Sequence, residues 1–309
     1  MTVAELSDQA LSRELRSPGI HLATGPFVFH LRTAIPALAE AIRFLYRDFP
    51  LDGADAIVDF RVAVQRPVGL RRWVRPQAIF LLDGWVPFEP VPLDLALPTL
   101  EWGLNWCVAS HAQQYLMMHA AVVEREGRAI ILPGRPGSGK STLCAALVHR
   151  GWRLLSDEFA LLRPDGRLAA WPRPISLKNQ SIDVIRRLAP EAVIGPSVAD
   201  TAKGTVAHMR PPTPSVERAA EAAYPAFVVF PTYQAGAPTR LSPLTKPKAF
   251  FQLADHSFNY AALGEDGFEI LAGVTERSDA FEFTYSDLED AVALVGGLEP
   301  GSARNRRGG

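Results

Sequence analysis

The chain has 309 residues, with 32 lysines and arginines against 33 aspartates and glutamates and a net charge of −1. That length can bury the cores of two modest domains, and the balanced charge supplies no global field to draw the chain to nucleic acid or to an anionic membrane. Two cysteines, Cys107 and Cys144, without metal-ligand spacing argue against a disulfide scaffold; with no signal-like leader and no apolar run near ~18 residues, a soluble cytoplasmic protein is expected.

Residues 1–20 read as a polar leader with one weak helix. FVFHLR at 27–32 alternates as a strand, and Pro36 opens a helix on which Leu38, Ile42, Leu45 and Phe49 recur at helical spacing. AIVDFRVAV at 56–64 and QAIFLL at 77–82 are further strands, so that 1–110 forms a small α+β accessory module. Arg61, Arg66, Arg71, Arg72 and Arg75 fall between Asp59 and Asp83 with no acid among them. They read either as solvated arginines flanking a loop or as a basic patch that docks an acidic partner segment. Pro98 opens a long helix carrying Leu100, Leu104, Cys107 and Val108. Trp102, Trp106 and Tyr115 read as a packing spine between the two parts, because the charge beside them is too low for a base-stacking platform.

MMHAAVV at 117–123 is a strand that turns at 124–127 into a second one, Ala129, Ile130, Ile131 and Leu132. There the pattern breaks. Gly134, Arg135, Pro136, Gly137, Ser138, Gly139, Lys140 and Ser141 fit G-x-x-x-x-G-K-[ST], and a helix over 142–150, opening on Thr142, is closed by Gly151. A strand before and a helix after are the context in which this motif cradles nucleotide phosphates, through backbone N–H groups, the lysine and the positive end of the helix. Ser141 is then the expected hydroxyl ligand of a Mg²⁺ bridging the outer phosphates, which calls for an acid nearby. Asp157 and Glu158 close the apolar run 152–158, and Asp157 follows Lys140 by only 17 residues, room for one helix and one strand. Arg163-Pro-Asp-Gly-Arg167 makes a hairpin turn, so a mixed sheet is expected rather than a doubly wound parallel one. Residues 286–296 read as a closing helix with Ser286 and Glu289 in capping-box positions, and 299–309 as a disordered tail.

His119-Ala120-Ala121, the loop 134–141, Arg150-Gly151-Trp152 and the pair Asp157-Glu158 together resemble the catalytic domain of HPr kinase/phosphorylase over residues 115–275. The resemblance is closer to the HPr-kinase-related serine kinases, kinase A type, that accompany ribosomally made, modified peptides. Thr201-Ala202-Lys203-Gly204 falls where that family carries its signature loop, and Lys246 and Lys248 where it carries a basic loop near the phosphates. Glu158 stands where the family has a second aspartate, Thr201 where it has an acid and Lys203 where it has arginine. Those departures bear on a second metal and on the reverse, phosphorolytic activity.

The resemblance implies an α/β fold: a P-loop kinase domain of HPr kinase/phosphoenolpyruvate carboxykinase type over 111–298, with a mixed sheet. It implies an ATP- and Mg²⁺-dependent kinase acting on a serine-type hydroxyl of a peptide or small protein, and a homo-oligomer, with no nucleic-acid or membrane partner. Residues 134–142 would hold the nucleotide, Ser141 and Glu158 the Mg²⁺, and Asp157 would accept the proton of the acceptor hydroxyl. His119 would orient that acid or touch the γ-phosphate, and Lys203, helped by Lys246, would stabilise the transferring group. Lys178, in ISLKN at 175–179, would face the nucleotide or the acceptor. Two other classes stay open: a P-loop NTPase whose nucleophile is water, and a nucleotide-gated binding protein in which the arginine-bearing first part grips a partner and no phosphoryl group moves. Phosphoenolpyruvate carboxykinases are longer and need a substrate-binding half that this sequence does not display.

Overall fold

The structure, a computed structural model, describes residues 1–53, 55–69 and 74–299; Arg71, Arg72 and the tail 300–309 lie outside the described residues. The chain forms two compact units, one of 1–112 with 176–182 and 193–217, the other of 113–175 with 183–192 and 218–309. The sequence suggested one break at 110/111. The break falls at 112/113, and the segments 176–182 and 193–217 cluster with the first unit instead of the second.

The first unit opens with α1 Asp8–Arg16, β1 Ile20–Thr24, β2 Phe27–Thr33, α2 Pro36–Leu45, β3 Leu51–Asp52, β4 Phe60–Gln65, β5 Gln77–Leu82, β6 Val91–Pro92 and α3 Ala96–His111. The expected polar leader is shorter than 1–20: Ser7 caps α1 by accepting from the Ala10 N–H at 3.2 Å, and β1 begins at Ile20. The helix from Pro36 stops at Leu45, where Tyr46 turns its ring onto Phe49 and donates to Glu101 Oε1 at 2.6 Å. Six strands form a sheet in the order β3-β1-β2-β4-β5-β6. Alternation buries Phe29, Leu31, Phe60, Val62 and Val64 on one face and leaves Arg32 and Arg61 exposed on the other. Trp102 and Trp106 pack on Phe88 within this unit, with ring centroids 4.1 and 5.0 Å apart.

The chain continues through β7 Leu116–Arg125, β8 Arg128–Pro133, α4 Lys140–Val148, β9 Arg153–Ser156, β10 Phe159–Leu162 and β11 Leu168–Ala169. Then come β12 Ile175–Lys178, α5 Gln180–Leu188, β13 Val198–Thr201, β14 Gly204–Met209 and α6 Thr213–Glu217. The last stretch is β15 Tyr224–Tyr233, β16 Arg240–Pro243, α7 Lys246–Asp255, α8 Tyr260–Arg277, β17 Asp279–Tyr285 and α9 Leu288–Gly296. Strands β12, β14 and β13 make a small sheet; the others after α3 make a mixed sheet ordered β11-β10-β7-β8-β15-β17-β16, with β9 also pairing β7. The fold is mixed α/β, and among the described residues no helix is long and apolar enough to cross a membrane.

The β7–β8 hairpin is closed by two residues, Glu126 and Gly127, both at positive φ, the geometry of a two-residue turn whose twist matches its strands. Strands β8, β15 and β17 are parallel neighbours, so their carboxyl ends share one edge of the sheet. Leu253, Leu271 and Val274 of α7 and α8 pack with Met118, Ala120, Val122 and Ile131, while the alternate residues Met117, Ala121, Val123, Ile130 and Leu132 are equally buried. Helix α9 is capped by Asp287, not by the expected Ser286: the Asp290 N–H donates to Asp287 Oδ1 at 2.9 Å, and Ser286 Oγ is diverted to the Ala237 carbonyl at 2.7 Å.

A buried ion pair ties the hairpin to the chain before β15. Arg153 Nε donates to Glu124 Oε2, Arg153 Nη1 donates to the carbonyls of Arg218 and Glu221, and Glu124 Oε1 accepts from the Gly127 N–H. Arg153→Met leaves the buried Glu124 carboxylate with only the half-exposed Arg218, 3.9 Å away, and is expected to destabilise the protein by up to about 3–5 kcal/mol. The shift in the urea unfolding midpoint measures it, and a loss under about 1 kcal/mol would show that the pair is dispensable.

Candidate functional site

The β7–β8 ladder ends at the pair Ala120–Pro133, and loop 134–139 then carries the chain into α4. Within it the Ser138 N–H donates to the Arg135 carbonyl at 3.1 Å, and Gly137 and Gly139 adopt φ of +88° and +89°. A Cβ on Gly139, at φ +89°, would lie 2.2 Å from Tyr285 Oη, so that position demands glycine; one on Gly134 would lie 2.3 Å from Ser138 Oγ, which would have to turn aside. Two strand ends hold the loop from beneath. The Tyr233 N–H at the end of β15 donates to the Ser138 carbonyl at 3.0 Å, and Tyr285 Oη at the end of β17 donates to the Gly139 carbonyl at 3.1 Å.

Arg135, Pro136 and Gly137 are exposed, while Ser138, Gly139, Ser141 and Thr142 are half-buried. Lys140 is only 5% exposed and forms no ion pair among the described residues. Ser138 Oγ is buried with no hydrogen-bond partner. A buried ammonium, an orphaned hydroxyl and the N-terminus of a nine-residue helix at one loop fit an anionic ligand with several oxygens.

The acid pair follows β9. Asp157 is 4% exposed, and its negative charge, after burial itself, pushes the Cys144 thiol of α4 up, against the opposing influence of Lys140. Lys140, Cys144 and Asp157 therefore share one electrostatic environment beneath the loop. Glu158 is more open: its side chain is 20% exposed, and Oε2 lies 3.5 Å from His119 Nε2. Strand register explains the meeting, since His119 sits one residue beyond the last β8 pair and opposite Phe159 of β10. The Phe258 ring, half exposed, lies over His119 at 5.9 Å and meets Phe159 edge-on at 5.2 Å.

Loop, Asp157, Glu158 and His119 are thus gathered at one edge of the sheet, and Tyr233, Tyr285 and Phe258 join them without having been singled out in the sequence. Lys246 and Lys248 of the same unit stand elsewhere. Lys246 opens α7 and donates to the carbonyls of Thr275, Glu276 and Ser278, closing the C-terminal end of α8 just before β17 begins. The loop is at the far end of β17, about 20 Å away along the strand, so Lys246 does not assist there. Lys248 pairs with Glu282 at 2.7 Å. Lys203 lies on an exposed turn between β13 and β14, its N–H donating to Thr201 Oγ1 at 3.1 Å, and Lys178 ends β12; both belong to the first unit. Among the described residues no group of three His, Cys, Asp or Glu is placed to hold a metal ion. A Mg²⁺ here would therefore lean on phosphate oxygens, one hydroxyl and one carboxylate, which is its usual habit.

Burial, followed by the charge of Tyr233, raises the Tyr285 phenol above its ordinary range. The folded chain then keeps a proton that the unfolded chain loses near pH ~10, so this contribution to stability is full below that pH and declines as pH rises above it. Tyr285→Phe removes the bond to Gly139, costing about 0.5–1.5 kcal/mol at neutral pH, and flattens the alkaline decline. Urea titrations of both proteins at neutral and alkaline pH check the two effects; parallel pH profiles would refute the second.

No protein-family model matches this sequence, and no curated protein does. Among solved structures, the HPr(Ser) kinase/phosphatase from Coxiella burnetii matches at 13% identity and a TM-score of 0.25, over 62% of this chain and 95% of that one. A likeness at that score carries no argument about function.

Proposed function

We propose that loop 134–142 binds ATP with Mg²⁺ and that the protein transfers the γ-phosphoryl group to a serine-type hydroxyl of a peptide or small protein. The observation that carries this reading is the buried Lys140, without an ion pair among the described residues, at a loop with two left-handed glycines. Burying an ammonium costs several kcal/mol unless an anion compensates it, and phosphate oxygens in the loop would do so. The positive end of α4 adds to the same field, and Ser138 Oγ gains the partner it lacks.

Ser141 and Glu158 are the groups assigned to Mg²⁺, which when bound neutralises charge on the outer phosphates. Asp157 accepts the proton of the acceptor hydroxyl as its oxygen bonds to the γ-phosphorus and the bond to the bridging oxygen breaks, releasing ADP. His119 fixes Glu158 from β7. Phosphoryl transfer needs positioning and charge stabilisation more than covalent chemistry, and Lys140 supplies fixed positive charge. A contribution from Lys203 rests on the sequence resemblance alone, and Lys203→Ala tests it.

The test is transfer of labelled γ-phosphate from ATP to a library of serine-containing peptides. Wild type is expected to label peptide and Lys140→Ala to lose both labelling and ATP binding. Asp157→Asn should keep ATP binding while transfer falls roughly 10²–10⁴-fold, and Glu158→Gln should raise the Mg²⁺ concentration required. Free phosphate without labelled peptide would move the assignment to a hydrolase. ATP binding that survives Lys140→Ala would overturn the site itself.

A further inference from the structure

The outward face of the six-stranded sheet in the first unit holds a cleft of about 550 Å³. Arg16 at the end of α1, Arg32 on β2 and Arg61 on β4 form its walls, and Ala63 and Leu81 lie on its floor. Register sets the arrangement. His21, His30 and Arg61 align across β1, β2 and β4, and the row beside them is Arg32, Ala63 and Leu81. The three arginines are exposed, and none forms an ion pair among the described residues. Asp83 is the sole acid of the described lining, and its link to Arg61 is a backbone one, N–H to carbonyl at 2.8 Å.

The imidazole among them responds to this charge. Burial first, and then the charges of His21, Arg32 and Arg61, hold His30 below its ordinary range, against the Pro18 carbonyl that accepts from Nε2 at 3.1 Å. In a chain of net charge −1 the cleft is a local cationic excess.

We propose that this cleft binds an acidic peptide segment of a partner protein, extended, with carboxylates two residues apart. Arg32 and Arg61 sit on neighbouring strands and are offset by two residues, which separates their Cα atoms by about 8 Å; alternate side chains of an extended segment lie about 7 Å apart. Guanidinium groups grip carboxylates in two-point fashion, and the Ala63 and Leu81 floor takes the methylene stems of glutamates. The proposal stands whether or not phosphoryl transfer occurs in the second unit.

The test is fluorescence anisotropy of the full chain with a labelled peptide of alternating Glu and Ser, at low salt, with an alternating Lys and Ser peptide as control. Binding of the acidic peptide alone is expected, weakened roughly tenfold or more in Arg32→Gln/Arg61→Gln and unchanged in Lys140→Ala. Ala63→Glu, which leaves every arginine in place and supplies the cleft with its own carboxylate, should weaken it equally. Far-UV circular dichroism of each variant confirms folding. Absence of binding, affinity retained in both cleft variants, or displacement of the peptide by an equimolar amount of inorganic phosphate would overturn the proposal.

Discussion

Loop 134–139 must carry the chain from the end of β8 into α4, and the strands beside it make that path possible. In the β8–β15 register Val228 stands opposite Ile131, which puts Phe230 level with Pro133 and leaves β15 running on to Tyr233. Strand β17 runs on in step, to Tyr285 opposite Tyr233. The two strands overshoot β8 by about three residues, some 10 Å. That overshoot is the shelf on which the loop rests, through one backbone bond and one phenol bond to consecutive carbonyls. A positive φ at Gly139 is needed because the carbonyls of Ser138 and Gly139 must both point down at the shelf.

With the Ser138 and Gly139 carbonyls turned to the shelf, the charged groups gather beside the loop. Lys140 is the first residue of α4, directly after the loop, and is buried there. Cys144, one turn on, feels both Lys140 and Asp157. The acids are separated by place: both lie in the bend after β9, where Asp157 is buried and Glu158, one residue on, is more open and meets His119. One strand end thus yields a sheltered carboxylate and an accessible one from adjacent residues.

The parts that were legible in the sequence are those whose causes are local. Gly134, Gly139 and Lys140 announce their loop because each acts through its own backbone or the next turn. The Arg163–Arg167 turn appears as a hairpin, with the Arg163 N–H donating to the Arg167 carbonyl at 2.9 Å. Strand β15 escaped notice because a parallel strand whose middle is buried on both faces lacks the alternation that marks a half-exposed strand, whereas β17 does alternate, with Phe281, Phe283 and Tyr285 buried and Glu282 exposed, and its signal was there to be read. Tyr285 escaped for another reason: its partner Gly139 is 146 residues away, and no spacing rule spans that. The same limit applies to 176–182 and 193–217, whose membership of the first unit depends on contacts that periodicity does not encode. Lys246 was misread because a lysine before an apolar helix suits a phosphate and a neighbouring helix terminus equally well; three carbonyls at the end of α8 decide it.

The cations of the two anion-directed features differ in type, and the difference follows from burial. In the loop the cation is a lysine at 5% exposure, a compact charge on a long stem placed at the N-terminus of α4, whose unpaired first-turn amides are directional donors. On the sheet face the cations are exposed arginines, and no outward-turned amides assist them, because the ladder between β2 and β4 consumes the backbone donors. Direction there has to come from the side chains, and the planar guanidinium is the group that carries both charge and a fixed fork of donors. Replacing Arg32 or Arg61 by lysine would keep the field and lose the fork, whereas at position 140 an arginine would bring a bulky fork into a space shaped for one ammonium.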